Sequence, residues 1–442
     1  MMLTDFQRLQ IESTLRQYHQ DVSNALMYYA PVQLAQIEAQ CIQTLEQAEL
    51  YTSEVHREID GMAQRMLFDW LANGHGALSA QQIREICRRH LGEEATWLEQ
   101  YRRFRQTGTA IVLAVLTWQC EMRCTYCSIP KQSGREISNA VLDAAGELLL
   151  SAPQDRLEMR YFGGEPLLEW EKLQYSIATL WNTQQCSTKC QNKTLSFLIT
   201  TNGMKLDEEK AAWMSQYPVS LQLALDGLPD AQDRYRVLYQ SDESSYAHCA
   251  IEKAELLHRY DIPHTVIIVV HPARIEHMLA DFQHIVEKGF EVIQINWAHN
   301  TIWHPQHLKG FAEGLHQLSD CLHQRWAQNQ GPLLLNLKEV QKKVRTSREI
   351  TVDWDGQIYA NNGFLFRPHI QEQLRLGDVS DGRNWLHYCV DYFSNAELDA
   401  TTHAEKVFDN NAKVGMVFNS WIRWMVQQGI PDVTPFISNR YR

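Results

Sequence analysis

From Ile111 to Trp297 the chain repeats one pattern six times. Short apolar or alternating runs at 111–117, 158–162, 195–200, 219–225, 265–271 and 292–297 are separated by longer amphipathic stretches. Runs of this length suit buried strands, and connections long enough for a helix let successive strands lie parallel through right-handed crossovers. In the segment 138–150, for example, Val141, Ala144, Ala145 and Leu148 recur on one side of a predicted helix. Six such units predict an α/β fold, a partial (β/α)6 TIM-like barrel.

The flanks read differently. Residues 1–107 are predicted to be a helical N-terminal domain, with Leu34, Ile37, Cys41 and Leu45 at helical spacing. Ser79 and Gln82 form a candidate capping box before Ile83, Ile86, Cys87 and Leu91. The lack of strands and Gly-rich turns in this region argues against a nucleotide-binding domain there. A helix over 307–326 presents Phe311, Leu315, Leu318 and Leu322 on one face. Residues 349–359 then read as strand, Asp-Gly turn and strand. The boundaries expected are a barrel over 108–330 and a small α+β domain over 331–442.

Composition narrows the function classes. The 41 basic and 53 acidic residues give a formal net charge of −12, without a Lys/Arg block suited to a phosphate backbone, so no nucleic acid is expected. The N-terminal residues lack a basic leader and apolar core, and no 18-residue apolar stretch occurs, so the reading is cytoplasmic, with no membrane. Ten cysteines scattered through a long chain suit reduced thiols and bound metal better than a secreted disulfide framework.

In a barrel, loops at the C-terminal ends of strands build the site. Cys120, Cys124 and Cys127 stand as C-x3-C-x2-C after the first run. Three thiolates can hold three irons of a [4Fe-4S] cluster and leave the fourth open. The competing reading is a structural zinc loop, which would want a fourth Cys or His at compact spacing. Gly163, Gly164, Glu165 and Pro166 follow the second run, and Thr200-Thr201-Asn202-Gly203 ends the third. Taken alone, these are a stiff strand-to-helix turn and an Asn-Gly turn.

Together and in this order, the motifs resemble the radical S-adenosylmethionine (SAM) superfamily over residues 111–300. The resemblance implies that the open iron is chelated by the amino and carboxylate groups of S-adenosyl-L-methionine. One electron then cleaves the sulfonium bond to methionine and a 5'-deoxyadenosyl radical, which abstracts a substrate hydrogen. It further implies that Gly163, Gly164, Glu165 and Pro166 form the methionine-binding element, with Glu165 offered to the ammonium. Tyr126 matches the aromatic before the last cysteine, which helps place adenine or packs the loop. Thr201 and Asn202 match the relatives' TTNG segment.

The fourth run, ending Ala224-Leu225-Asp226-Gly227, followed by Asp233 and Arg236, resembles the Ser-Leu-Asp-Gly and His-Asp-x-x-Arg pattern of peptide-modifying relatives. Arg236 matches the Arg that pairs with the cofactor carboxylate. Two positions depart: Ala224 replaces the usual Ser, and Gln232 the His. Asn296 is a candidate for polar cofactor atoms, and Trp297 or His299 for the substrate pocket or for local packing.

The hairpin at 350–359 and Leu376-Gly377-Asp378-Val379 resemble the SPASM/twitch branch, which modifies peptides and proteins. Its auxiliary-cluster cysteines are missing: Tyr359 is followed by Ala360, Asn361 and Asn362, and only Cys389 remains in the region. Cys186 and Cys190 read as two unconnected thiols, a redox pair or part of an unusual metal site, and Cys249 and Cys321 as small core residues. The function implied is radical modification of a peptide or protein side chain with one cluster and a flavodoxin or ferredoxin electron donor. The alternatives are a small-molecule substrate, such as a nucleoside or amino acid derivative, and a non-catalytic peptide-binding protein.

Overall fold

The computed structural model describes residues 5–27, 34–52, 55, 59, 109–127, 129–131, 134–152, 154–239, 241, 243–248, 253–299, 301–339, 349–359, 362, 375–382 and 403–429. The chain divides into two compact units, one made mostly of residues 1–108 and the other carrying the sheet.

In the first unit, α1 (Asp5–Met27) and α2 (Leu34–Gln47) are the long helices described. Ile11, Leu15, Tyr18 and Val22 are buried on α1, and Cys41 and Leu45 on α2, the spacing of one helical face. The candidate capping box at Ser79 and its helix lie outside the described residues.

The second unit is built on strands at the six expected places: β1 (Thr109–Thr117), β2 (Arg156–Gly163), β3 (Thr194–Thr201), β4 (Val219–Ala224), β5 (His264–Val270) and β6 (Val292–Trp297). All pair in parallel with their sequence neighbours. The helices α3 (Asn139–Leu150), α4 (Trp170–Cys186), α5 (Glu208–Met214), α6 (Pro229–Tyr235), α7 (Ala254–Arg259) and α8 (Met278–Glu287) make the crossovers. Strand burial alternates on β2, β3, β4 and β5. Leu157, Met159 and Tyr161 lie on the side where the Tyr161 hydroxyl meets Ser176 of α4 at 2.9 Å, so the helices cover that face. Glu158, Arg160 and Phe162 face the other way, onto the inner side of a partial (β/α) barrel.

Two readings change. Helix α3 starts where expected, with Ser138 accepting from the Val141 N–H at 3.3 Å. Its buried face, however, is Leu142, Ala145, Gly146, Leu148 and Leu149, with Val141 and Ala144 only half-buried. That face includes Gly146, against which Leu180 of α4 comes so close that a Cβ there would lie 3.2 Å from Leu180 Cδ1. The second change is in the sheet: the hairpin β8 (Glu349–Val352) and β9 (Gln357–Tyr359) continues it, with β8 parallel to β1 and β9 antiparallel to β8. With β7 (Leu333–Leu334) beside β6 and β10 (Arg375–Asp378) beside β9, the described strands form one ten-stranded sheet.

Helix α9 (Pro305–Ala327) buries Phe311, Leu315, Leu318 and Leu322 completely, as its spacing predicts. Helix α10 (His403–Gln428) packs on it: Phe418 stacks with Phe311, and Trp421 Nε1 donates to Ser319 Oγ at 2.7 Å. No described helix is long and apolar enough to cross a membrane.

Candidate functional site

The cysteine loop leaves β1 and is held from three sides. Cys120, Cys124 and Cys127 are half-buried free thiols. A turn closes between the last two, the Cys127 N–H donating to the Cys124 carbonyl at 3.0 Å. Arg123 N and Thr125 N donate to the carbonyls of Val237 and Tyr235 at 2.8 Å each, and Tyr239 N donates to the Glu121 carbonyl at 2.7 Å. The segment 235–239, from the last residue of α6 onward, therefore runs along the loop, with Met122 bridged antiparallel to Leu238, satisfying backbone groups that an isolated loop would leave to water.

The glycines bring the second side. Gly164 N donates to the Thr117 carbonyl at 2.7 Å and Glu165 N to the Gln119 carbonyl at 2.8 Å. A Cβ on Gly163, whose φ is +141°, would lie 2.2 Å from Thr117 O, and one on Gly164 1.9 Å from Gln119 O. Only glycine permits this approach.

Glu165 is buried and ties β2 to β3. Its Oε1 accepts from Thr201 Oγ1 at 2.6 Å and from Leu167 N at 3.0 Å, and its Oε2 from Asn202 N at 2.8 Å. Burial, with Glu121 nearby, pushes its carboxyl up to about 7 against the pull of those three donors. Asn202 in turn reaches the first cysteine, its Nδ2 lying 3.9 Å from Cys120 Sγ. Pro166 begins the short helical turn that Glu165 caps.

The third side is a network through Asp226. Tyr126 donates its hydroxyl to Asp226 Oδ2 at 2.6 Å, and Arg236 Nη2 donates to Asp226 Oδ1 at 2.9 Å. The Arg236 guanidinium lies 5.5 Å from the Tyr126 ring centroid, with Nη1 3.9 Å from Cys124 Sγ. Arg236 thus already has an anionic partner. Gln232, in the place of the usual His, accepts from Asp226 N at 3.1 Å and so holds the turn. Asp233 instead binds Ser244, Ser245 and Tyr246 N, away from the cysteines.

Lys131 went unnoticed in the sequence. Its Nζ donates to Cys127 Sγ at 3.2 Å, and its charge acts on all three sulfurs. Burial pushes the Cys120 and Cys124 thiols up to about 12 and about 11, while Lys131 and, at Cys124, Arg236 oppose the rise. Among the described residues no three His, Cys, Asp or Glu side chains are already arranged around one metal ion. The donor chemistry nevertheless fits an iron–sulfur cluster: three soft ligands on one loop, sharing a cationic neighbour and flanked by buried groups without partners, Arg236 Nε and both Glu121 carboxylate oxygens.

Asn296 lies at the end of β6, outside these three contacts. It ends a chain of neutral side chains across the inner face, in which Thr200 Oγ1 donates to Gln222 Oε1 at 2.9 Å. Gln222 Nε2 donates to Gln294 Oε1 at 3.1 Å, and Gln294 Nε2 to Asn296 Oδ1 at 3.3 Å. Trp297 packs on Phe418 and His299. Cys186 is exposed at the end of α4, and buried Cys190 donates to the Leu150 carbonyl at 3.6 Å, before β3 and so at the opposite end of the strands. Cys321 is half-buried on α9, and Cys249 and Cys389 lie outside the described residues.

The loop, the glycine turn and the ends of β1 to β5 fall within residues 115–285, which match the model of the radical SAM superfamily. This stretch is a radical SAM domain. Across 185 residues the chain is 20% identical to a cysteine-type anaerobic sulfatase-maturating enzyme of Clostridium novyi, a match covering 40% of this chain and 47% of that protein. It is 24% identical over 171 residues to the radical SAM cyclopropyl synthase TigE of Paramaledivibacter caminithermalis, covering 34% of each. The chain thus spans less than half the length of these curated relatives. The solved structure of native anSMEcpe with bound AdoMet superposes with a TM-score of 0.56 at 15% identity, covering 72% of this chain and all of that one. The same enzyme with AdoMet and the Cp18Cys peptide gives 0.55 at 16%, covering 72% and 99%. The radical SAM domain therefore carries the partial barrel of these enzymes.

Proposed function

We propose that the protein is a radical SAM enzyme that modifies a peptide or protein side chain. The observation that carries the reading is the convergence of the cysteine loop, the Gly163–Pro166 turn and the end of β3 within one hydrogen-bonded set. In it Cys120, Cys124 and Cys127 would hold one [4Fe-4S] cluster, and SAM would lie against Tyr126, the glycine turn, Thr201, Asn202 and Arg236, with Asn296 reaching it from the end of β6. When bound, the two supply an electron and a 5'-deoxyadenosyl radical that takes a hydrogen atom from the substrate.

The chain's own residues have defined tasks. Glu165, with three of its acceptor positions filled, keeps one for the methionine ammonium. The unpartnered Glu121 oxygens are a second acceptor for that group. Arg236 keeps Nε for the carboxylate while Asp226 fixes the guanidinium plane. Tyr126 borders the adenine. A reduced flavodoxin or ferredoxin delivers the electron.

The neutral chain from Thr200 to Asn296 supports a peptide occupant, because side-chain amides offer the paired donors and acceptors that peptide groups need. The peptide-bound anSMEcpe structures share the fold. A small-molecule substrate is the second reading, favoured by a hairpin that ends in Tyr359-Ala360-Asn361-Asn362 without a cluster-binding cysteine.

The test is anaerobic reconstitution with iron and sulfide, then reductant and SAM, followed by chromatography for 5'-deoxyadenosine. Formation of deoxyadenosine that is lost in Cys124→Ala is the expected result. A fully loaded cluster that yields none removes the radical reading. Deuterium passing into deoxyadenosine from labelled peptides, rather than from labelled nucleosides or amino acids, separates the two substrate classes.

A further inference from the structure

Asp353 lies in the turn between β8 and β9 and is 1% exposed. Its Oδ1 accepts from Trp118 Nε1 at 2.9 Å and from its neighbour Trp354 N at 2.9 Å, while Oδ2 is buried without a partner. A half-satisfied buried carboxyl is costly for a hairpin that needs only a turn, since the missing hydrogen bond is not recovered elsewhere. The geometry of Trp118 gives the carboxyl a use.

Trp118 is 2% exposed and stands between the last residue of β1 and Cys120. Its backbone N–H donates to the Arg135 carbonyl at 3.1 Å, and the Arg135 guanidinium sits 4.3 Å from its ring centroid and 5.9 Å from that of Trp354. Trp118 forms one apolar cluster with Leu113, Val115, Ile129 and Tyr359, and Cys127 packs against it. One carboxyl therefore joins the C-terminal hairpin, across 235 positions, to the ring beside the cysteine loop.

We propose that Asp353 is a positioning residue for that loop, orienting the Trp118 indole so that Trp118, Ile129 and Tyr359 form the dry wall over Cys127. The proposal rests, for its effect on a cluster, on the assignment of the three cysteines as ligands. In a low-dielectric wall the more negative, reduced cluster is disfavoured, so opening the wall to water shifts the reduction equilibrium toward the reduced state.

The experiment uses the full chain with Asp353→Leu, Asp353→Asn, Trp118→Phe and the Asp353→Leu/Trp118→Phe double variant. In iron-free protein, amide hydrogen exchange over residues 118–131 should quicken about tenfold in Asp353→Leu and Trp118→Phe, with β5 and β6 unchanged. Asp353→Asn keeps an acceptor oxygen and should stay near wild type. The double variant should be no faster than either single one, since both act through one bond. After reconstitution, an EPR-monitored redox titration should show about a tenfold shift toward the reduced state in Asp353→Leu, about 59 mV for one electron, and none in Asp353→Asn.

Unchanged exchange in Trp118→Phe and Asp353→Leu overturns the strut, as does exchange that rises equally through β5 and β6, which marks a general loss of packing. If Asp353→Leu does not fold, Trp118→Phe against Asp353→Asn decides in the same way. Wild-type protein that takes up no iron overturns the cluster assignment instead, and the iron-free exchange still decides the strut.

Discussion

Tyr126 and Asp226 meet at 2.6 Å, phenol to carboxylate, although 100 positions separate them in the chain. The residue before the last cysteine is thereby fixed to the turn that leaves β4, on the same carboxylate that holds Arg236. Ring, guanidinium and sulfur then share one orientation.

Removing that hydroxyl strands a buried acceptor. Tyr126→Phe should lower the stability of the iron-free protein by about 1–3 kcal/mol and weaken SAM binding while leaving iron content near wild type. Urea unfolding and equilibrium dialysis with labelled SAM measure the two effects, and an unaltered SAM affinity would take Tyr126 out of the cofactor site.

Gly164 has no room for a side chain. Because a Cβ there would stand 1.9 Å from Gln119 O, Gly164→Ala must move the backbone that leads into Cys120. Iron uptake should fall severalfold at an unchanged helical circular dichroism signal, and full uptake would mean that the turn and the loop are independent.

The pH dependence of binding follows from Glu165. Its carboxyl is pushed by burial up to about 7, and in the proposed site it must be ionised to accept the methionine ammonium. SAM affinity of the reconstituted protein should therefore rise from pH 6 to pH 8, by up to about tenfold if this ionisation is limiting, and the rise should be absent in Glu165→Gln. Isothermal titration at several pH values checks the slope.

Asp353 makes the opposite demand on the fold. Burial pushes its carboxyl from 3.8 up to about 7, so the native state binds its proton more tightly than the unfolded chain does. Its contribution to stability is complete below pH 4 and is lost as pH rises through 7, at a slope approaching about 1.4 kcal/mol per pH unit in between. The difference in unfolding free energy between wild type and Asp353→Asn, followed from pH 4 to pH 8 in iron-free protein, should carry that slope.

The six strands of the barrel were legible because alternation and length are local properties, and each lies within two or three residues of its expected place. The face of α3 was legible only in part: Ala145 and Leu148 are buried as expected, but Gly146, which contributes nothing to an apolar pattern, is buried against Leu180 as well. The site motifs were readable one at a time. Their stitching was hidden, because residues 121–125 meet 235–239 through backbone groups that every sequence carries. Lys131 and Glu121 looked like ordinary charges, and only their burial beside the sulfurs and the Glu165 carboxyl gives them weight.

The parallel pairing of β8 with β1, Ile111 opposite Glu349 through Ala114 opposite Val352, has a consequence in time. During synthesis β1 and its cysteines leave the ribosome more than two hundred residues before the strand that covers their edge. At about 5–20 residues per second the edge stays open for some tens of seconds, a bare template for mispairing. Until the last strand closes, Trp118 also lacks the Asp353 carboxyl to which its indole donates, so the wall beside the cysteine loop is among the last parts of the fold to form.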